Sequence, residues 1–214
     1  MSEVHQNTSA KLPKNTSQMP TVDVVVVGGG IAGKACALGL AQLGLQTIEV
    51  APDLGQGIAS PQGSQWGQRI YAFSPSTQKL LSHLQIWDAL DHTRLQPVRD
   101  MRIYGDRGEK NDYLHLSAFE AGTPQLAWIG ESNLIEHTLD QASRFQNKLE
   151  RINDVVEKVQ VDAEGSTLHL TNSGSIRAQL VIAADGANSP IRNELGISAS
   201  EESYSQSAVV ANWL

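Results

Sequence analysis

A glycine-rich segment near the amino terminus has the residue types and the spacing that hold a phosphate group. Residues 24–33 are VVVVGGGIAG, four valines followed by the pattern G-x-G-x-x-G. Gly28 permits a tight turn out of a strand, Gly30 lets a phosphate approach the backbone, and Gly33 allows the next helix to pack closely. Backbone N–H groups near Ala32 would face the bound anion, which the helix dipole favours. The segment therefore predicts a dinucleotide pyrophosphate site.

An acidic residue follows at the separation expected for a ribose contact. Glu49 stands about 20 residues after Gly28, where a carboxylate accepts hydrogen bonds from ribose hydroxyls. Asp53 is the fallback for this role, and a solvated residue at a strand end is the alternative interpretation of Glu49. An acid here disfavours a 2′-phosphate because like charges repel. The motif alone leaves FAD and NAD both open.

A second acidic residue follows a later apolar segment, LVIAA at residues 180–184. Asp185 and Gly186 would lie at the carboxyl end of a parallel strand, the edge at which doubly wound sheets bind ligands. Ser189 and Pro190 then predict the start of a helix. The Asp185 carboxylate is placed to approach a ribose or ribityl chain. An Asx turn, which favours Asp-Gly by itself, is the alternative interpretation.

Local patterns predict the elements that position these residues. A helix is expected over residues 35–41 with its end at Gly44, and the next strand over residues 45–49. Residues 52–67, rich in Gly, Ser, Pro and Gln, predict a long loop. Three short strands are expected to form a β-meander before a buried strand at 180–184; they cover residues 155–161, 166–171 and 175–179.

The middle of the chain predicts two further helices and a hairpin. Ser74 and Pro75 are suited to the cap and the first position of one helix, and Ser132 is suited to cap the other. Residues 101–104 and 113–119 alternate in polarity like two paired strands. The helix after Ser74 is expected to bury one apolar face, formed by Leu80, Leu81, Leu84, Trp87 and Leu90.

Composition limits the class of protein. The 214 residues carry a net charge of −7 without a run of Lys and Arg, so no nucleic-acid partner is expected. The single cysteine, Cys36, fits a reducing cytoplasm, and the six histidines lack metal-ligand spacing, so no metal site is expected. Residues 1–20 predict a disordered leader, and no membrane span is found. Peripheral contact with the inner membrane is left open.

Three motifs in order resemble the flavin-dependent aromatic hydroxylases, the group A monooxygenases. They are VVVVGGGIAG with Glu49, RIYAFS at residues 69–74, and LVIAADGANSPIR at residues 180–192. Within that family, the chain most resembles the ubiquinone-biosynthesis hydroxylases over residues 22–214. The chain departs from the family pattern at Ala183, where a glycine is usual, and at Ser132, where asparagine is frequent.

The resemblance implies an α/β fold: a Rossmann-like, doubly wound FAD-binding domain with a β-meander crossover and the beginning of an antiparallel substrate-domain sheet. It divides the chain into a leader (1–20), the first part of the FAD-binding domain (21–98), substrate-domain strands (99–126), the second part of the FAD-binding domain with the β-meander (127–200), and the start of a truncated substrate domain (201–214).

The resemblance also assigns roles to single residues. It places Gly28, Gly30, Ala32 and Gly33 at the FAD pyrophosphate, Glu49 at the adenosine ribose, Arg69 on the flavin side, and Asp185 with Gly186 near the pyrophosphate and ribityl chain. A surface salt bridge is the alternative role of Arg69. No catalytic acid or base can be named.

The activity implied by the resemblance is hydroxylation of a polyprenylated phenol in ubiquinone biosynthesis, with FAD as cofactor, NAD(P)H as transient reductant and O₂ as oxidant. Family members are nearly twice as long and carry a later Gly-Asp motif that this sequence lacks. We therefore expect an amino-terminal portion without its carboxy-terminal half, inactive by itself. An NAD-dependent dehydrogenase and a non-catalytic partner in a biosynthetic complex are the alternative functions.

Overall fold

The computed structural model describes residues 19–52, 66–105 and 113–209. Most of the predicted leader (1–20) and most of the predicted loop at 52–67, with Asp53, lie outside these residues. The described residues form two compact units. The first comes from residues before 56 and from 146–201, and the second from residues 56–145 and those after 201.

Helices and strands alternate irregularly along the described residues. In chain order they are β1 (Thr21–Val27), α1 (Ile31–Gln42), β2 (Thr47–Ala51), β3 (Ile70–Phe73), α2 (Pro75–His83), β4 (Gln96–Val98), β5 (Asp100–Tyr104), β6 (Tyr113–Ser117), β7 (Ala127–Glu131), α3 (Ser132–Ser143), β8 (Leu149–Asn153), β9 (Val156–Asp162), β10 (Gly165–Leu170), β11 (Gly174–Ala183) and α4 (Pro190–Glu194). No helix in the described ranges is long and apolar enough to cross a membrane.

A six-stranded sheet in the order β8-β2-β1-β11-β10-β9 forms the centre of the first unit. The first four strands are parallel to one another, and β9 and β10 join antiparallel as the β-meander. Val24 and Val26 of β1 pack with Ala37 of α1, whereas Val25 and Val27 face the opposite core. Each fully buried valine contributes about 1.5–3 kcal/mol. The predicted Rossmann-like α/β class is confirmed.

The third strand of the meander and the apolar segment at 180–184 form one continuous strand, β11, rather than two. Its first half pairs antiparallel with β10, and its other edge pairs parallel with β1 from Arg177 to Ala183. No glycine or proline interrupts residues 175–183, so the strand continues between both neighbours. The prediction of a buried strand at 180–184 was wrong: Leu180, which is 52% exposed, and Ala183 lie at the surface, and Val181, Ile182 and Ala184 are only partly buried.

The second unit contains antiparallel pairs. β3, β7 and β4 form one sheet, and β5 pairs with β6 as a hairpin. Helix α2 begins at the predicted cap, where Ser74 accepts from the Thr77 N–H, but it ends at His83 because Gln85 takes a positive φ of 61°. Trp87 and Leu90 are buried as predicted, but they lie after the end of α2 and are not part of it. Leu80, which was predicted to face inward, is 53% exposed.

Helix α3 begins one residue earlier than predicted, at Ser132, the residue expected to cap it. Glu131 occupies the cap position in extended conformation and makes no side-chain capping bond, while Ser132 is the first helical residue. The Ser132 hydroxyl donates to Glu136 Oε1 at 2.5 Å instead of serving the helix N–H groups. Ile135 and Leu139 are buried.

Candidate nucleotide-binding site

The turn between β1 and α1 admits only glycine at its first position. Gly28 has a φ of +128°, and its N–H donates to the Val50 carbonyl at 2.8 Å. A Cβ placed on Gly28 would lie 2.1 Å from the Ala184 carbonyl oxygen. The turn is therefore pressed between β2 and the segment that follows β11, and any side chain would force these apart.

Gly33 and Gly30 differ in what surrounds them. A Cβ on Gly33 would lie 2.0 Å from the Gly28 carbonyl oxygen, so this glycine brings α1 against the turn. A Cβ on Gly30 would meet no atom within 4 Å. Gly30 is the cap of α1 and provides no side-chain hydrogen bond to the first helical N–H groups, around Ile31 and Ala32. The helix start therefore presents backbone donors beside open space.

Glu49 lies buried at the centre of β2, with 1% of its surface exposed. Its Oε2 accepts two hydrogen bonds from Arg151, from Nε at 3.2 Å and from Nη2 at 2.9 Å. Its Oε1 is buried without a hydrogen-bond partner, and it lies 3.8 Å from where a Cβ of Gly29 would be. Burial argues against the alternative of a solvated strand-end residue, and it leaves an acceptor beside the glycine-rich turn.

Asp185 and Gly186 follow β11 next to the same turn. A Cβ on Gly28 would lie 2.9 Å from the Asp185 nitrogen, and Gly186 has a φ of +91°. Asp185 Oδ2 accepts from the Ile191 N–H of α4 at 3.0 Å. This bond gives Asp185 a local structural role, but it spans six residues and is not the Asx turn of the alternative interpretation. Helix α4 begins after the predicted Ser189 cap.

Arg69 belongs to the second unit, just before β3. Its guanidinium carbon lies 5.3 Å from the centroid of the Tyr71 ring, and its carbonyl accepts from the Ser132 N–H at 2.9 Å. It lines a cavity of about 200 Å³ together with Gly67, Gln68, Ser132, Asn133 and Glu136. Asn133 Oδ1 is buried there without a hydrogen-bond partner. Arg69 therefore lies beside a cavity in the second unit.

A buried ion pair in the second unit was not anticipated from sequence. Arg94 donates from Nε to Glu131 Oε1 at 2.7 Å and from Nη2 to Oε2 at 2.9 Å. Hydrogen bonding to Glu131 raises the pKa of the Arg94 guanidinium. The Gly67 N–H also donates to Glu131 Oε2. Glu131 thus joins the segment before Arg69 to the start of α3, and its charge is balanced by Arg94.

The first unit gathers most of the predicted site residues at one edge of its sheet. The glycine-rich turn follows β1, Asp185 with Gly186 follows β11, and Glu49, at the centre of β2, places Oε1 beside the same turn. Helix N–H donors, open space at Gly30 and the unpaired Oε1 of Glu49 suit a pyrophosphate joined to a ribose. The adenosine diphosphate half of a dinucleotide therefore fits this edge. Arg151, which donates to Glu49 at this edge, was not anticipated from the sequence.

Comparison with known proteins identifies the same class. A family model described as "FAD binding domain" matches residues 21–213. The 3-demethoxyubiquinol 3-hydroxylase of Escherichia coli (strain K12) is 32% identical over 200 residues, covering 91% of this chain and 48% of that protein. Ubiquinone hydroxylase UbiL of Rhodospirillum rubrum is 28% identical, covering 94% of this chain and 46% of that protein. The chain thus spans about half the length of these relatives.

A solved structure agrees with this assignment. The crystal structure of p-nitrophenol 4-monooxygenase PnpA from Pseudomonas putida DLL-E4 matches with a TM-score of 0.65 and 26% identity, covering 84% of this chain and 45% of that one. The resemblance to ubiquinone-biosynthesis hydroxylases is confirmed by the two relatives, and FAD as the expected cofactor is confirmed by the family. The family model covers nearly all of the described residues, and the chain belongs to the FAD-binding domain family.

Proposed function

We propose that the first unit binds the adenosine diphosphate half of FAD, and that the protein is an FAD-dependent monooxygenase. Its substrate would be a polyprenylated phenol of ubiquinone biosynthesis, as the names of the relatives suggest. The observation that carries the binding proposal is the buried, unpartnered Oε1 of Glu49 beside the glycine-rich turn. A buried acceptor without a donor costs about 1–3 kcal/mol, which a ribose hydroxyl would recover.

Each residue of the turn has a distinct task in this proposal. The open space at Gly30 admits the pyrophosphate, and the N–H groups at Ile31 and Ala32 donate to its oxygens. Gly28 and Gly33 do not contact the nucleotide through side chains. They bring strand, turn and helix close enough together to form the cradle.

Asp185 and Gly186 serve the remainder of the cofactor. Asp185, which follows β11 at the edge where a ribityl chain would lie, is held by the Ile191 N–H. Gly186, with nothing within 4 Å of its Cβ position, leaves room for close approach of that chain. The role of Arg69 on the flavin side remains a prediction of the resemblance.

FAD, when bound, supplies the redox chemistry of the reaction. In balance, the phenol, O₂, NAD(P)H and a proton give the hydroxylated phenol, NAD(P)⁺ and water. The two electrons of NAD(P)H reduce one oxygen atom to water while the other enters the ring. The described residues bind and orient; no acid or base among them is assigned to a proton transfer.

The polyprenyl chain determines where the protein meets its substrate. Each CH₂ group that leaves water for lipid gains about 0.8 kcal/mol, so a polyprenylated phenol resides in the bilayer. We therefore propose a cytoplasmic protein that contacts the inner membrane peripherally, or receives its substrate within a ubiquinone-biosynthesis complex. Vesicle co-sedimentation with and without a prenylated phenol tests this contact; protein absent from the pellet in both cases would contradict it.

The binding proposal is tested by titrating the 214-residue chain with ADP, FAD and NAD, using NMR shifts to detect weak binding. ADP and FAD are expected to shift amides of the glycine-rich turn. Glu49→Gln should weaken both by about 10- to 100-fold, since a hydrogen bond to a charged group contributes about 1.5–3 kcal/mol. Asp162→Asn is the matched control, because that carboxylate pairs with Arg177 opposite Thr21, at the other end of the strands.

The outcomes separate the candidate functions. Shifts with NAD but none with FAD would favour the dehydrogenase, and no shift with ADP, FAD or NAD would overturn nucleotide binding. Activity is assayed on the protein purified from its native source, with reduced nicotinamide, prenylated phenol and oxygen-18 gas. Incorporation of one labelled oxygen into the ring supports the monooxygenase, and nicotinamide oxidation without labelled product contradicts it.

A further inference from the structure

Arg151 faces Glu49 across two neighbouring strands. Strand β8 lies at the edge of the six-stranded sheet, parallel to β2, and its register places Arg151 directly opposite Glu49. Directly opposite residues of paired strands lie on the same face of the sheet. The Arg151 side chain is 33% exposed, whereas the Glu49 side chain is 1% exposed. The arginine therefore stands at the rim and reaches inward to a buried carboxylate.

The pairing is asymmetric at the carboxylate. The hydrogen bonds from Arg151 Nε, at 3.2 Å, and Nη2, at 2.9 Å, both end on Glu49 Oε2. A fork-on-fork pair would occupy both oxygens, as Arg94 does with Glu131 in the second unit. Here Oε1 stays without a donor, on the side of Gly29. The guanidinium thus balances the buried charge and leaves one oxygen for a ligand.

We propose that Arg151 is a positioning residue for the adenosine ribose. It holds the buried Glu49 through Oε2 and fixes the rotation of the carboxylate, so that Oε1 accepts from a ribose hydroxyl. This rests on the proposed binding of the adenosine diphosphate half of FAD. Arg151 would consequently determine how strongly the site distinguishes a ribose from a deoxyribose, although it need not touch the nucleotide.

The test measures how strongly the site distinguishes a ribose from a deoxyribose, and not only how tightly it binds ADP. The dissociation constants of ADP and of 2′-deoxy-ADP and 3′-deoxy-ADP are determined by calorimetry or NMR titration of the full chain. The wild-type chain is expected to bind ADP about tenfold more tightly than at least one deoxy analogue, the effect of one lost hydrogen bond. In Arg151→Gln this ratio should fall to about one, because the carboxylate is no longer fixed.

Two further variants separate positioning from general stability. Arg151→Lys keeps the charge but has a single ammonium in place of the fork, so it should restore part of the ratio. Arg177→Gln removes the exposed pair with Asp162 at the opposite end of the strands and should leave the ratio unchanged. If Arg151→Gln does not fold, as judged by circular dichroism, the Arg151→Lys ratio decides instead.

The proposal is overturned if Arg151 does not affect the ratio between the dissociation constants of ADP and its deoxy analogues. An Arg151→Gln chain that binds all nucleotides more weakly, yet retains the wild-type ratio, would show that the arginine only stabilises the fold. If the Arg151→Gln chain does not fold, a wild-type ratio of dissociation constants in Arg151→Lys would overturn the proposal. A wild-type chain that binds ADP without distinguishing the deoxy analogues refutes the role of Arg151 alone, whereas one that binds neither ADP nor FAD refutes the proposed nucleotide site as well.

Discussion

Two buried carboxylates in the first unit differ in how fully they are hydrogen-bonded. Asp154 accepts backbone N–H bonds from Val155 at 2.8 Å, Asn172 at 2.9 Å and Ser173 at 2.7 Å, so both its oxygens are occupied. Glu49 has one occupied oxygen and one without a donor. Full satisfaction suits a residue that holds two loops together, whereas an unmade bond suits a residue that awaits a ligand.

Asp154 should make the free energy of unfolding of the first unit depend on pH. Burial raises the pKa of its carboxyl, but hydrogen bonds from Ser173, Val155 and Asn172 together outweigh burial and lower the pKa from 3.8 to about 2. Because the folded-state pKa lies below the unfolded value, the stabilisation is complete above about pH 4 and is lost as pH falls toward about 2.

The measurement is urea unfolding of wild type and Asp154→Asn between neutral pH and about pH 2. The variant should be less stable at neutral pH, and the difference should shrink through the window between about pH 4 and 2. Glu157→Gln, at an exposed carboxyl on β9, serves as the control. A stability difference that is the same at every pH would show that the ionised form of Asp154 is not what stabilises the loops.

At the scale of elements, the strand–turn–helix unit depends on glycines with separate requirements. Gly28 needs both a positive φ and the absence of a Cβ, since its neighbour is the rigid Ala184 carbonyl. Gly30 adopts an extended conformation with a φ of −79°, which any residue tolerates, and it has open space around it. Gly28 is therefore required by the fold, whereas Gly30 is required only by the proposed ligand.

Alanine substitution should separate these two requirements. Gly28→Ala is expected to destabilise the chain by about 2–4 kcal/mol, through backbone strain and a clash with backbone. Gly30→Ala should change stability by less than about 1 kcal/mol, yet weaken ADP binding at least about tenfold, because its methyl group enters the phosphate space. Denaturant titration and ADP titration of both variants check this. Unchanged ADP affinity in a folded Gly30→Ala chain would place the phosphate elsewhere.

Sequence reasoning succeeded where the determinants are local. The caps at Ser74 and Ser189 and the helix end near Gly44 depend on a few neighbouring residues, and each is found as predicted. The Arg151–Glu49 pair could not be foreseen, because it depends on β8 lying beside β2 in one particular register. The double pairing of β11 also depends on sheet order, which local patterns do not encode.

At the scale of the whole molecule, binding should stabilise the first unit selectively. A ligand that binds only the folded state adds about 2.7 kcal/mol when its concentration is 100 times its dissociation constant. ADP should therefore slow hydrogen exchange of amides in β1, β2 and β11, since its proposed contacts lie at their carboxyl ends. Amides of β5 and β6 in the second unit should exchange unchanged, and ADP-dependent protection confined to them would contradict the proposed site.

The contact between Gly28 and Ala184 also has a consequence for synthesis of the protein. Val27 pairs with Ala183, and Gly28 lies against the next residue, although these partners are far apart along the chain. A nascent polypeptide leaves the ribosome amino terminus first, so the phosphate cradle stays incomplete until the ribosome has passed β11. We therefore expect the chain to bind its cofactor late, only after β11 has been translated.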